Sequence, residues 1–213
     1  MKSMIKDTLI LLLITIISGG ILGLVYEVTK EPIAIAQEKK TQEAFKAAFP
    51  EAEYFEEDGD FSVAEAEKVT KDKYPNSVIE TSMYALDADK NVLGYVLKVI
   101  SSDGYSGDIS FLVGIKLDGT INAVSLLEIK ESAGLGMNAE AVLIPQFNGK
   151  KAMIFEVTKT GATKENQVDA ISGATITTDA ITNGVNAAVS YFNTIYGAQV
   201  IVTEGGETNE AGQ

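Results

Sequence analysis

In the run Asp169-Ala170-Ile171-Ser172-Gly173-Ala174-Thr175-Ile176-Thr177-Thr178, hydroxyls and small residues crowd the approach to an amphipathic helix. Ile181, Val185, Ala188, Val189 and Phe192 recur at three- and four-residue steps, one face of a helix, and Gly197 supplies a stop. Thr177 or Thr178 is the natural N-cap, which puts Asp179 at the positive end of the helix dipole. The first N–H groups of a helix lack intrahelical acceptors, and Gly173 and Ala174 allow close approach to the backbone. Such a loop suits an anion, a phosphate above all. The same residues also fit a plain small-residue turn capped by threonine. A second copy of the core, Thr160-Gly161-Ala162-Thr163, has Val157 where the first has Asp169 and runs into Lys164-Glu165-Asn166-Gln167 without an apolar period. It reads as a surface turn.

Composition narrows the chemistry. The 213 residues include no cysteine and no histidine, which removes disulfides, thiolate nucleophiles and iron–sulfur ligation, and also an imidazole base or a histidine-held metal. Redox chemistry on this chain has to arrive with a cofactor. A net charge of −13 argues against nucleic acid as a partner. Glu51, Glu53, Glu56, Glu57, Asp58 and Asp60 concentrate part of that charge and read as a solvated face or mobile segment.

Asp169-x-x-Ser172-Gly173-Ala174-Thr175 is similar to the flavinylation motif of proteins that carry FMN through a phosphodiester to the motif's last threonine. The resemblance makes Thr175 the acceptor, with Thr177 as the alternative. Upstream, Glu131-Ser132-Ala133-Gly134-Leu135-Gly136 resembles the Glu-Thr-Pro-Gly-Leu-Gly loop of FMN-binding domains, with Ser132 in place of threonine and Ala133 in place of proline. Gly104-Tyr105-Ser106-Gly107 resembles their Gly-Tyr-Gly-Gly turn. The motifs, in this order, resemble a family of covalent-FMN subunits, and the short chain with its single anchor looks more like the G subunit of the Rnf ion-translocating electron-transport complex. The alternatives are the C subunit of a sodium-pumping NADH:quinone oxidoreductase and a cofactor-free extracytoplasmic scaffold or binding domain.

The resemblance implies a membrane-anchored flavoprotein subunit with covalent FMN. It would relay electrons in a complex that couples ferredoxin:NAD electron transfer to Na⁺ or H⁺ translocation, and would not be catalytic alone. Its partners would be membrane, iron–sulfur and flavin subunits, and a flavin transferase for maturation. Ser172, Gly173, Ala174 and Thr177 would shape the phosphate loop. Glu131, Leu135, Gly136 and Tyr105 would border the ring, and Asp169 would be recognised by the transferase. An acidic chain repels a free dianionic flavin phosphate, and a covalent diester answers that by retaining the group with a single negative charge.

These residues need a scaffold. Thr8 to Tyr26 hold no charge, enough for one transmembrane helix, and Lys2 and Lys6 before it leave the N-terminus in the cytoplasm and the rest outside. A cleaved signal peptide ending near Ala34-Ile35-Ala36 is the alternative. Gly19 and Gly23 form a small-xxx-small face for a neighbouring helix. The expected divisions are a cytoplasmic start (1–6), the span (7–28), a membrane-proximal helix with an acidic segment (29–77), the FMN-binding domain (78–200) and a disordered acidic tail (201–213). Glu31-Pro32 marks the exit from the membrane, and Pro50 closes a helix over Ile33 to Ala48. Strands are predicted at Val78 to Leu86 and Val92 to Ile100 around Asp87-Ala88-Asp89-Lys90-Asn91, and at Ile109 to Leu117 and Ile121 to Ile129 around Asp118-Gly119. A further strand covers Ala152 to Val157. Hairpins followed by a terminal helix give an α+β domain, an antiparallel sheet with packed helices. No Gly-x-Gly-x-x-Gly follows a strand, so nicotinamide binding belongs to another subunit.

Overall fold

The computed structural model describes residues 2–151 and 153–197. Helix α1, Lys2–Ala48, runs through Pro32, where the sequence reading has a membrane exit followed by a separate helix from Ile33. Proline already holds the helical φ and removes one hydrogen bond, while Ala34, Ala36, Gln37, Glu38 and Lys39 beyond it are helix formers that carry the ladder onward. By length and composition α1 is able to cross a membrane. Among the described residues, those up to Gln42 form one compact unit and those from Glu43 onward another. The expected tail at 201–213 lies outside the described residues.

The second unit is built on a five-stranded antiparallel sheet whose strands follow chain order. They are β1 Tyr54–Glu57, β2 Ser77–Leu86, β3 Val92–Ser101, β4 Ile109–Lys116 and β5 Ile121–Glu128. The four strands predicted in the two hairpins form within a residue of their expected ends. In the first hairpin loop Asp87 Oδ1 accepts from the N–H groups of Asp89 and Asn91, and in the second Gly119 takes φ +76°. Helix α2, Val63–Thr70, links β1 to β2, and a four-residue helix α3, Ala139–Val142, follows β5. The strand expected at Ala152 to Val157 is only β6, Glu156–Thr158, and Ala152 is outside the described residues. It pairs in parallel with an unforeseen β7, Gln167–Asp169. Lys150 Nζ donates to the Gln167 carbonyl, and Phe155 is buried with its N–H and carbonyl both bonded to Asn186. The apolar run is therefore used to pack a side chain rather than to extend a ladder.

The two faces of the sheet are covered differently. Leu97, Val99, Phe111 and Val113 lie in the larger core with Ile181, Val185, Ala188 and Phe192 of the last helix, α4, Thr175–Ile195. On the other face Ala44, Ala48, Phe49, Ala85, Val96 and Leu112 form a smaller core around the end of α1, which stops just before Pro50. Close approach there depends on glycine: a Cβ at Gly114 would lie 2.3 Å from the Ala48 carbonyl oxygen. A backbone obstacle cannot rotate away. Gly114→Ala is therefore expected to destabilise the unit by about 1–3 kcal/mol through overpacking, read as a lower denaturation midpoint with an unchanged slope.

The acidic segment differs from its sequence reading. Tyr54–Glu57 is an edge strand, and Asp58 after it is buried. Its carboxylate accepts hydrogen bonds from the Tyr84 hydroxyl at 2.9 Å and from the Tyr196 hydroxyl, which also meets Ser82 Oγ at 2.9 Å. These phenols satisfy a charge that the run of acids alone would leave in water. Burial first, then the Asp58 hydrogen bond and charge, pushes the Tyr84 hydroxyl up to about 12, and the same leading causes move Tyr196 upward. A raised folded-state value means that the native state holds these protons more tightly than the unfolded chain. Their contribution is complete below the ordinary tyrosine value of about 10 and is lost as pH rises through the folded value. Unfolding free energy is expected to fall between pH of about 10 and 12, and Tyr84→Phe should flatten that limb in denaturant titrations at stepped pH.

Candidate functional site

Helix α4 begins at Thr175, earlier than a cap at Thr177 or Thr178 would allow. Ile171-Ser172-Gly173-Ala174 makes a tight turn, closed by the Ala174 N–H on the Ile171 carbonyl at 3.0 Å. Gly173 sits at φ +76° in its third position, as a type II turn requires. Thr178 then folds back: its hydroxyl accepts from the Ile171 N–H at 3.1 Å and donates to the Ala174 carbonyl at 2.9 Å. The propensity that suggests a cap is spent on fastening the turn to the helix. Ala174 is the N-cap and makes no side-chain cap bond. Asp179 therefore lies beyond the first turn; burial pushes its carboxyl upward, against the opposing charge of Lys159.

The first N–H inside α4 to find an intrahelical acceptor is that of Thr178, on the Ala174 carbonyl at 3.0 Å. The N–H groups of Thr175, Ile176 and Thr177 have none in the helix. They stand at one wall of a cavity of about 480 Å³ lined by Tyr105, Glu131, Ser132, Leu135, Gly136, Gly173, Ala174, Thr175, Ile176 and Thr177. Eight of the residues singled out from the sequence thus share one pocket, although they come from three segments. The turn after β3 brings Tyr105, the loop after β5 brings Glu131 to Gly136, and the approach to α4 brings the rest.

Glycines fit the walls together. A Cβ at Gly136 would stand 2.6 Å from Glu131 Cβ and 2.7 Å from Thr177 Oγ1. One at Gly104 would stand 2.1 Å from the Gly107 carbonyl oxygen and 3.0 Å from Glu131 Oε1. Glu131 is buried, and its Oε1 accepts the Ser106 N–H at 3.3 Å. Thr177 is 1% exposed, whereas Thr175 is half-buried and its hydroxyl has no hydrogen-bond partner among the described residues. Tyr105, Leu135 and Ile176 are exposed apolar surface at the rim.

Ser172 and Asp169 do not line the cavity. Ser172 occupies the outer corner of the turn and is exposed, because a type II turn directs its second residue away from the closing bond. Asp169 ends β7, its N–H bonded to Gln146 Oε1 at 2.7 Å and its carbonyl accepting from Gln146 Nε2 at 3.2 Å. Ser132 and Ile176 line the pocket without being marked as site residues by the sequence. Ser132 stands out there only as a departure from a motif, and Ile176 as a gap between threonines; an isolated isoleucine outside the apolar helical period is the available signal. Thr163 is exposed, with its N–H and hydroxyl on Gln167 Oε1, and no helix follows it.

The volume falls within the range of roughly 300–1,000 Å³ usual for small-molecule sites. Unclaimed N–H groups at a helix start suit a phosphate, and a rim of Tyr105, Leu135 and Ile176 suits a flat aromatic ring. The donor set therefore fits a flavin nucleotide.

Comparison with known proteins gives the same chemistry. Residues 104–190 match the FMN-binding domain family, and residues 1–47 match the RnfG N-terminal region. The G subunit of the Na(+)-translocating ferredoxin:NAD(+) oxidoreductase complex of Acetobacterium woodii is 31% identical over 91% of this chain and 94% of its own length. The G subunit of the ion-translocating oxidoreductase complex of Methanosarcina acetivorans is 30% identical over 89% and 95%. The crystal structure of Shewanella oneidensis NqrC matches with a TM-score of 0.46 at 21% identity, over 57% of this chain and 60% of that one.

Proposed function

The chain belongs to the family of G subunits of ion-translocating oxidoreductase complexes, and we propose that it carries FMN covalently, through a phosphodiester to Thr175. It is a membrane-anchored FMN-binding subunit of an electron-transferring, ion-translocating complex, with the other subunits of that complex as its partners. The observation that carries the attachment site is Thr175 itself. Its half-buried hydroxyl opens α4 on the pocket wall beside the N–H groups without helical acceptors. Thr177 lines the same wall but is almost fully buried, which leaves less room for a group delivered from outside.

Bound FMN supplies the one-electron chemistry that a chain without cysteine or histidine lacks. The protein's part is to hold and orient. The start of α4 offers N–H donors and the positive end of the helix dipole to the single charge left on a phosphodiester. Leu135 and Ile176 exclude water at the rim, and Tyr105 offers a flat face. Asp169, outside the cavity, is available to a separate flavin transferase, since no group in this chain forms the ester. Lys2 and Lys6 ahead of the span support a domain on the outer side of the membrane. Intact-mass spectrometry of the chain recovered from its native host tests the attachment. The expected result is one added flavin phosphate, mapped by peptide sequencing to Thr175; a wholly unmodified polypeptide would overturn it.

A further inference from the structure

We propose that Glu131 is a redox-linked proton site, taking up a proton when an electron enters the pocket and releasing it when the electron leaves. The proposal rests on the reading of the cavity as the flavin site. Among the residues that line it, Glu131 is the carboxylate. It is 9% exposed and, among the described residues, receives one hydrogen bond, the long one from the Ser106 N–H, at Oε1. Gly136 lets the Glu131 stem pack against the loop that also touches Thr177 Oγ1, so the carboxylate is built into the wall rather than free to swing into solvent.

Few charges compete for this position. From the turn after β3, Tyr105 lines the cavity, with Asp103 and Asp108 in the same turn. On its own loop Lys130 is exposed and ion-paired to Glu128 at 2.6 Å. The 3-10 turn Gly136–Asn138 and the first turn of α4 bring no acid or base, and Asp179 lies a turn further on. Lys130 is not among the lining residues, so no lysine there offsets an added negative charge. A second negative charge beside a buried carboxylate raises that carboxylate's affinity for protons.

The step balances simply. A reduced iron–sulfur or flavin carrier of a partner subunit gives one electron to the flavin, and one solvent proton bonds to a Glu131 carboxylate oxygen. Reoxidation returns both, and Glu131 forms no bond to the flavin.

The test is spectroelectrochemical titration of the full chain, loaded by a co-expressed flavin transferase, from acid to alkaline pH. Wild type is expected to show a segment in which the midpoint potential falls with pH by up to about 59 mV per unit, the equivalent of a tenfold change for a one-electron couple. Glu131→Gln should lack that segment and lie at higher potential above it. Glu131→Asp should keep the segment at a displaced pH, and it serves as the comparison if the glutamine variant does not load. Profiles that superimpose, or that differ by a pH-independent offset, overturn the proposal while leaving the flavin assignment standing. A wild-type chain that carries no flavin sinks both.

Discussion

Thr175→Ala is expected to abolish the flavin-fluorescent band that the wild-type chain, co-expressed with a flavin transferase, gives on a denaturing gel. A phosphodiester needs the hydroxyl oxygen, and alanine has none. Thr175→Ser keeps the oxygen and should restore the band. The loss should come without unfolding, because the Thr175 hydroxyl has no hydrogen-bond partner among the described residues and the turn before α4 is fastened by Thr178 instead. Stability should stay within about 0.5 kcal/mol of wild type, the usual range for a change away from buried features. Thr177→Ala is the necessary companion. A band lost in that variant and kept in Thr175→Ala would move the attachment by two residues and leave the FMN-binding function in place.

The largest stability effect is expected at Asp58, far from the pocket in sequence. Asp58→Ala removes the acceptor of both the Tyr84 and Tyr196 hydroxyls at a junction of β1, β2 and the end of α4. Tyr196 keeps Ser82 as a partner, and Tyr84 loses its acceptor. The Tyr84 hydroxyl is half-buried, and a polar group left unsatisfied there costs at most the roughly 1–3 kcal/mol of a fully buried one. With the loosened contacts of Tyr95, which stacks on Tyr196 at 3.8 Å, a total of about 2–4 kcal/mol is expected against a typical domain stability of about 5–15 kcal/mol. Asp58→Asn retains an acceptor oxygen and should lose less. It also removes a carboxylate whose hydrogen bonds help to raise Tyr84 and Tyr196, and whose charge adds to the rise at Tyr84. The alkaline limb of its stability profile, which still starts at the unfolded tyrosine value, should therefore end at lower pH and be shallower. Denaturant titrations of the two variants at neutral and alkaline pH separate these effects, and equal loss in both would show that the acceptor oxygen is not what Asp58 contributes.

The sheet is legible in the sequence because alternation and turn chemistry are local. Asp118-Gly119 and the Asp87 to Asn91 loop bracket runs of Val, Ile and Leu, and β2 to β5 form there. The register of α4 is harder, since adjacent threonines satisfy the same capping preference. Gly173 at positive φ and Thr178 bonding back across the turn decide it. The continuation of α1 through Pro32 escapes a reading that weighs one residue without the helix on both sides of it. Asp58 is unreadable for another reason: its partners lie 26 and 138 positions away, and a run of acids carries no mark of which member will be buried. Tyr105, Glu131, Leu135 and Gly136 stand out through motif likeness, whereas their meeting with Thr175 depends on how β3, β5 and α4 are brought side by side.

The alanine at the N-cap of α4 has a consequence for maturation. A helix opened by alanine rather than serine, threonine or aspartate forgoes about 0.5–2 kcal/mol, and here no side chain makes up the difference. An esterified phosphate at the next residue would act as the missing cap. Loading the chain would then tighten its final helix, and amide exchange at Thr175, Ile176 and Thr177 would distinguish finished molecules from unfinished ones before any electron moves.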